Sequence, residues 1–244
     1  MRLTRVFADT PLAEGARATL RGPAAAHVTR VLRLAAGDAV TLFNGDGMDY
    51  PAQIAALGHG TVEAVVTGRR AARAESPLTV TLVQGIARAE RMDLVLQKAT
   101  ELGAAAIVPV ATARSVVKLD AAGRDRKAAH WRGVAIAACE QCGRARVPDV
   151  AEPVTLTDRL ARPAGAGLRL LLSPDADTSL ASAVRGTTAV ELLVGPEGGL
   201  DEAEEKMARG TGFRACRLGP RVLRSETAAI AALAVLQALA GDLG

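Results

Sequence analysis

Apolar and polar positions alternate in the first part of the chain and give way to continuous apolar runs after residue 77. Asp38-Ala39-Val40-Thr41-Leu42-Phe43 alternates as a half-buried strand should. Asn44-Gly45-Asp46-Gly47 follows and predicts a hairpin, because Asn and Gly tolerate positive φ. Tyr50–Ala55 reads as the returning strand, Thr61–Val66 as another, and Ala24–Arg33 as a short helix. Residues 1–70 therefore predict a small β-barrel or curved sheet. The stretch TGRRAARAESP (67–77) is polar, basic and proline-terminated, which predicts a linker, bounded at 71–77 between the two domains.

From residue 78 the pattern predicts α/β structure. Leu78–Gln84 and Ala106–Val110 read as strands. Between them Met92, Val95, Leu96, Ala99 and Leu102 recur at helical spacing, and Gly103 stands where a helix ends on a left-handed glycine. Arg124–Cys142 reads as helical. Leu168–Leu172, Val190–Val194 and Arg214–Leu218 are nearly continuous apolar runs, the kind buried on both faces of a parallel sheet. Ser225–Leu239 is an alanine-rich helix, apolar nearly all round, and so expected to be buried. Strands alternating with helices over 78–244 argue for one α/β domain with a parallel sheet.

Composition narrows the function. Half of the 244 residues are hydrophobic, yet aromatics make up only 2%. The core must be aliphatic, and an RNA-binding surface built on rows of stacked rings is disfavoured. The net charge of +4 is mildly basic, compatible with a nucleic-acid partner. Arginine far outnumbers lysine, a bias that a GC-rich genome explains equally well. Three cysteines (Cys139, Cys142, Cys216) argue against a disulfide framework and for a reducing compartment. The N-terminal MRLTRVFADTPL has no apolar stretch of signal-peptide length and no apolar run in the chain is long enough to span a bilayer, so a cytoplasmic location without membrane association is expected.

GxxxxGK[ST], GxGxxG after a strand, HExxH and GxSxG are all missing, which removes P-loop, ordinary dinucleotide, zinc-protease and serine-hydrolase readings. Cys139-Glu140-Gln141-Cys142 is a CxxC. Zinc would need two further ligands from Cys216, His27, His59 or His130 without a second paired motif, so two small helix residues are the better reading and no metal is expected. Gly195-Pro196-Glu197-Gly198-Gly199-Leu200 follows a buried strand. A sharp turn explains it, and so does a loop whose amides approach a ligand at the sheet's C-terminal edge. Leu218-Gly219-Pro220-Arg221-Val222-Leu223-Arg224-Ser225-Glu226-Thr227 opens the last helix. Ser225 suits an N-cap and Glu226 the helix dipole, but capping does not explain two arginines beside a Gly-Pro turn.

The joint order of QKATELG (97–103), EQCGR (140–144), GPEGGL (195–200) and RLGPRVLRSETA (217–228), with HVTRVLRLAAGDAVTLFNGDG (27–47) ahead of them, resembles the RsmE family over essentially the whole chain. Those bacterial enzymes methylate N3 of a uridine in 16S ribosomal RNA and belong to the SPOUT superfamily. The resemblance implies a PUA-like RNA-binding domain over 1–70 and a SPOUT methyltransferase domain over 78–244, with a deep trefoil knot that periodicity alone would not suggest. Two positions depart from the family's pattern. Ala113-Arg114-Ser115 stands where Glu-Arg-Ser is common, and Arg88 where a lysine is expected. Arginine keeps the charge but not a lysine's point-like geometry.

The resemblance implies S-adenosyl-L-methionine as cofactor, held by three loops: Leu172 and Ser173; Gly195, Pro196, Glu197, Gly198 and Gly199; and Leu218, Gly219, Pro220 and Leu223. Arg224 or Arg221 is the expected partner of the uracil oxygens, with Glu226 orienting one of them or assisting proton loss. Arginines that only grip phosphate are the plainer alternative. Arg2, Arg5, Arg30, Arg33, Arg88 and Arg114 are the expected RNA contacts. A homodimer is implied, and the apolar positions Ile230, Leu233, Leu236 and Leu239 suit either its interface or the interior of one chain. Two rivals remain: another SPOUT methyltransferase acting on transfer RNA, and a ribosome-assembly factor that binds RNA without catalysis.

Overall fold

The computed structural model describes residues 4–115, 121–163, 165, 167–184 and 186–244. The chain divides into two compact units. One comprises Met1–Glu75 with Ile136–Val147, the other Ser76–Ala135 with Pro148–Gly244.

The first unit holds strands β1 (Arg5–Phe7), β2 (Arg17–Arg21), β3 (Ala39–Phe43), β4 (Met48–Leu57), β5 (Thr61–Val66) and β6 (Arg70–Ala71). A helical turn α1 (Gly22–Ala26) runs into a π-helical turn at His27–Leu32 that ends on Arg33 at φ 55°. The sheet order is β1-β3-β4-β5-β2, with β6 on β4, so β1 and β2 end the sheet path among the described residues. β4 carries a bulge between Ile54 and Ala56. In β5, Val62, Ala64 and Val66 alternate into the core, where they meet Val6, Leu20, Val28 and Leu42. The polar stretch after Val66 is not purely a linker, since Arg70 and Ala71 pair with Asp49 and Met48.

Residues 136–147, far along the chain, belong to this unit through specific bonds. Glu75 accepts hydrogen bonds from the Ala145 and Arg146 amides at 3.0 and 2.8 Å and pairs with Arg144 at 3.2 Å. Glu140 accepts from the Phe7 amide at 3.0 Å. Phe43, Cys139 and Ala145 form a small apolar cluster with Phe7, Ala72 and Val147. Burial there pushes the Cys139 thiol up to about 12, so it stays protonated at neutral pH and behaves as a small apolar side chain.

The second unit contains β7 (Thr79–Gly85), α2 (Ala89–Glu101), β8 (Ala106–Ala111), the start of α3 (Ala121–Cys142), β9 (Asp149–Val150), β10 (Val154–Thr155), α4 (Leu156–Ala161), β11 (Leu168–Leu172), α5 (Leu180–Ala183), β12 (Ala189–Val194), α6 (Glu202–Gly210), β13 (Arg214–Cys216) and α7 (Ser225–Ala240). All sheet pairings are parallel, in the order β10-β8-β7-β12-β11-β13, with β9 on β8. Neighbouring residues on a strand point to opposite faces. Accordingly Leu82, Leu170 and Leu192 join a core with α2 and α7, while Val83, Leu171 and Leu193 join a second core with α4 and α6. Helices cover both faces, which is why these strands read as unbroken apolar runs. α7 is buried along one side only: Ala229, Ala232, Leu233 and Leu236 are inside, whereas Leu239 is 50% exposed. Among the described residues no helix is long and apolar enough to cross a membrane.

Candidate active site

Parallel strands deliver their C-terminal ends to one edge of the sheet, where the backbone turns away and leaves polar groups for a ligand. In the second unit the loops after the adjacent strands β12, β11 and β13 enclose a cleft of about 360 Å³ at that edge. Leu172 and Ser173 line it from the first loop, Gly195 to Gly199 from the second, and Leu218, Gly219, Arg221 and Leu223 from the third. The structure thus brings together every residue expected to hold the cofactor except Pro220, which does not line the cleft.

The loops are braced against one another. The Ser173 amide donates to the Cys216 carbonyl at 3.0 Å, and Arg217 Nη1 donates to the Ala176 carbonyl at 3.1 Å. In the glycine loop the Gly199 amide closes a turn onto the Pro196 carbonyl at 2.9 Å, with Gly199 at φ 69°, a conformation glycine adopts without steric cost. Asp201 and Glu204 then form a reciprocal capping box at the start of α6. At the wall of the cleft, Gln84 at the end of β7 donates to Oγ of the lining residue Ser225 at 3.0 Å, and Ser225 Oγ donates to the Gly195 carbonyl at 2.5 Å.

Ser225 is therefore not the N-cap of α7. Arg224 occupies that position without a side-chain cap, and the Ser225 hydroxyl is already committed to Gly195. Arg221 lines the cleft, while Arg224 is exposed next to it, outside the lining. Among the described residues no ion pair engages either guanidinium. Glu226 pairs with neither of them: its Oε1 lies 3.8 Å from Arg91 Nε on α2, and its Oε2 is buried without a partner among the described residues.

Glu197 carries most of the charge contact at this edge. Its Oε1 accepts from the Arg88 amide at 3.1 Å and from Arg91 Nη1 at 3.2 Å. Burial alone would raise its carboxyl. Its own and the Arg88 backbone amides, together with the Arg91 guanidinium, outweigh that and hold it below the usual carboxylate range. A depressed folded pKa contributes stability that is present above the ordinary carboxylate pKa and is lost as pH falls through the folded value. We expect Glu197→Gln to lose less thermal stability than the native chain between pH 6 and pH 3, read as two melting-temperature profiles. Parallel profiles would contradict the assignment.

The expected RNA contacts separate. Arg30 and Arg33 are exposed in the first unit. Arg2 lies outside the described residues. Arg5 is corrected: it is 5% exposed, its Nη1 donates to Asp49 at 2.7 Å, its Nη2 to the Arg144 carbonyl at 3.0 Å, and it stacks 4.9 Å from the Phe43 ring. A guanidinium so buried, with both terminal nitrogens donating inside the unit, is an internal tie and not a phosphate contact. Arg88 is exposed at the N-cap of α2. Arg114 braces the glycine loop, with Nη1 donating to the Gly198 carbonyl at 2.9 Å and the Leu200 carbonyl at 3.3 Å.

Sequence reasoning missed Gln84, Gly85, Arg91 and Cys216. Gln84 was detectable as a polar residue closing the apolar run Leu82-Val83, since a fully buried amide must be there to hydrogen-bond. Cys216 lines the cleft, and burial pushes its thiol up to about 11.

Comparison with known proteins agrees with this geometry. Residues 74–237 match the model of an RNA methyltransferase domain, and residues 20–67 that of an RNA methyltransferase PUA domain. Ribosomal RNA small subunit methyltransferase E of Buchnera aphidicola is 31% identical over 89% of this chain and 88% of that protein. The Mycobacterium bovis protein of the same name is 33% identical over 96% of this chain and 90% of its own length. Among solved structures, ribosomal RNA small subunit methyltransferase E of Neisseria gonorrhoeae, bound to S-adenosyl methionine, superposes with a TM-score of 0.91 at 35% identity over 99% of this chain and 100% of that one.

Proposed function

This chain belongs to the ribosomal RNA small subunit methyltransferase E family, and we propose that it uses S-adenosylmethionine to methylate N3 of a uridine in 16S ribosomal RNA of the small subunit. The observation that carries this reading is the cleft built by three interbraced loops at the C-terminal ends of β12, β11 and β13.

The residues present fit that cofactor. A volume of about 360 Å³ suits a nucleoside-sized ligand. Val194, Leu172, Leu218 and Leu223 offer apolar surface, the glycine loop offers close backbone approach, and Asp175, Glu197 and Glu205 offer negative charge to a cationic ligand. When bound, the cofactor supplies an already activated methyl group. This chain's task is to hold the two reactants in line, and such positioning removes several kcal/mol from a barrier.

Uridine N3 becomes nucleophilic on losing its proton, and the charge then spreads onto O2 and O4. Arg221, at the cleft, and Arg224, beside it, are free to face those oxygens and stabilise the developing anion. Glu226 holds Arg91 through one oxygen and keeps the other for a proton. Arg30 and Arg33 of the PUA domain, with Arg88, suit phosphate contacts.

A deep trefoil knot in this domain is part of the same proposal and rests on the chain's membership of the family. A homodimer is part of the same proposal, with exposed Leu239 on α7 and Val222, 83% exposed at the cleft, as candidate interface positions. A protein acting on ribosomal RNA in this way works in the cytoplasm.

The test is methyl transfer from S-adenosylmethionine to small subunits lacking their natural modification, followed by nucleoside mass spectrometry. 3-Methyluridine is expected. Incorporation into transfer RNA instead would move the chain to a sister specificity, and no incorporation by a folded, cofactor-binding protein would leave an assembly factor. Arg224→Ala is expected to lower kcat by about 10² to 10³ while the Kd for S-adenosylmethionine stays unchanged. Normal turnover would remove Arg224 from the chemistry.

A further inference from the structure

Gln84 is a polar residue that closes the apolar run Leu82-Val83 of β7, and it is fully buried. A buried amide without partners costs stability, so its presence demands an account of its bonds. Nε2 donates to Ser225 Oγ at 3.0 Å and to the Gly85 carbonyl at 2.9 Å, and lies 3.5 Å from the Gly195 carbonyl. Oε1 has no partner among the described residues. Flipping the amide would turn Oε1 onto two carbonyl oxygens, so the orientation is dictated by its surroundings. Gln84 is thus present for its donors.

The hydrogens on this path all run one way. Gln84 Nε2 donates to Ser225 Oγ, and Ser225 Oγ donates to the Gly195 carbonyl at 2.5 Å. Donors chained in this sense polarise and strengthen one another. The receiving carbonyl belongs to the Gly195–Pro196 peptide, which has no N–H, so the carbonyl is its only handle for orientation. The other side of the same peptide lies directly over Gly85, where a Cβ would sit 2.4 Å from Pro196 N. The peptide that starts the glycine loop is therefore held between a bare backbone and a two-donor relay. The other two segments involved lie 111 and 141 residues from Gln84 in sequence.

We infer that Gln84 and Ser225 are positioning residues: their relay to the Gly195 carbonyl locks the Gly195–Pro196 peptide and thereby sets the shape of the glycine loop and its affinity for S-adenosylmethionine. The affinity part rests on the function proposed above; the locking of the loop does not. Gln84 does not line the cleft; Ser225 does, but its hydroxyl is committed to the Gly195 carbonyl. Their action passes through a single peptide plane.

The test uses the full chain with Ser225→Ala, Ser225→Thr, Gln84→Met and the Gln84→Met/Ser225→Ala double variant. Hydrogen exchange at the Gly198, Gly199 and Leu200 amides reports the loop with no ligand present. Calorimetry with S-adenosylmethionine reports affinity. Ser225→Ala is expected to speed loop exchange and to raise the Kd about tenfold, the loss of one well-placed hydrogen bond. Ser225→Thr, which keeps the hydroxyl, should stay within about threefold of native. The double variant should be no weaker than the worse single one, because the two residues act as one unit. In turnover, the KM for S-adenosylmethionine should rise while kcat at saturation and the KM for RNA hold. Equal effects of Ala and Thr at 225, additive losses in the double variant, or unchanged loop exchange would each overturn the relay. If Gln84→Met fails to fold, the Ala–Thr contrast at 225 decides alone. A native chain that does not bind S-adenosylmethionine while Ser225→Ala still frees the loop would overturn the proposed function and leave the relay standing.

Discussion

Gly85→Ala is expected to raise the Kd for S-adenosylmethionine by roughly 100-fold, the loss of about two well-placed hydrogen bonds from a displaced glycine loop. Gly85 is absent from the positive-φ glycines, so any residue could adopt its backbone conformation. The obstacle is space. An added Cβ would meet Pro196 N at 2.4 Å, Pro196 Cδ at 2.5 Å and the Gly195 carbonyl carbon at 2.9 Å. Ordinary carbon contacts need about 3.5 Å or more, so one partner must retreat by roughly 1 Å. The partner is backbone and a proline ring, neither of which has a rotamer to change. The glycine loop would have to leave the position in which Ser225 and Arg114 brace it. The strain should also lower stability by about 1–3 kcal/mol, as overpacking of a filled interior does. Gly133→Ala is the control. Gly133 sits in α3 with open space around its Cβ position, so alanine there should leave binding unchanged and raise stability slightly through helix propensity. Calorimetry and thermal melting on both variants check the pair. Native affinity in Gly85→Ala would mean that the loop has room it does not show.

Glu191→Ala is expected to destabilise the second unit by about 3–5 kcal/mol, because it strands buried positive charge. Glu191 on β12 is 8% exposed, and Arg169 beside it on β11 is 7% exposed. Arg169 Nε donates to Glu191 Oε2 at 2.8 Å, and Arg159 of α4 pairs with the other carboxylate oxygen. Arg169 also donates to the Thr211 carbonyl at 2.6 Å and lies over the Phe213 ring at 4.2 Å. Removing the carboxylate leaves two guanidiniums facing each other with no counter-charge. Glu191→Gln should cost less, since an amide oxygen still accepts one bond. The network sits near the starts of β11 and β12, whereas the cleft is at their ends. Cofactor affinity should therefore be unchanged in any folded fraction. Urea denaturation of the three proteins, with calorimetry below the transition, tests both halves. A loss under 1 kcal/mol would show that solvent reaches the site.

Part of this protein could be read directly from residue order, for a physical reason. Burial on a sheet or helix imposes a period, and the period is local. Leu168–Leu172 and Val190–Val194 read as doubly buried strands because helices cover both faces, and β11 and β12 lie where those runs do. The same holds for α2 and its terminal Gly103, at φ 78°. The loops that line the cleft were legible too, because glycines and prolines that interrupt such runs mark where the backbone leaves the sheet edge.

Partners were not legible, because hydrogen-bond and ion-pair partners are chosen by sheet order and not by spacing. Parallel strands joined by crossovers bring the ends of β7, β12 and β13 to one edge, and so Gln84, Gly195 and Ser225 meet. Arg5 reads as a free basic residue near the N-terminus, yet Asp49 and the Arg144 carbonyl consume it in the interior. Ser225 has the composition of a cap and Glu226 that of a partner for the neighbouring arginines, yet the crossovers hand them Gly195 and Arg91 instead. Residues 136–147 continue a helix begun in the second unit and still belong to the first, because Glu75 and Phe7 offer that segment the bonds its own backbone and side chains require. Periodicity specifies which face of each element is buried; which residue waits on the other side is decided only when the chain has folded.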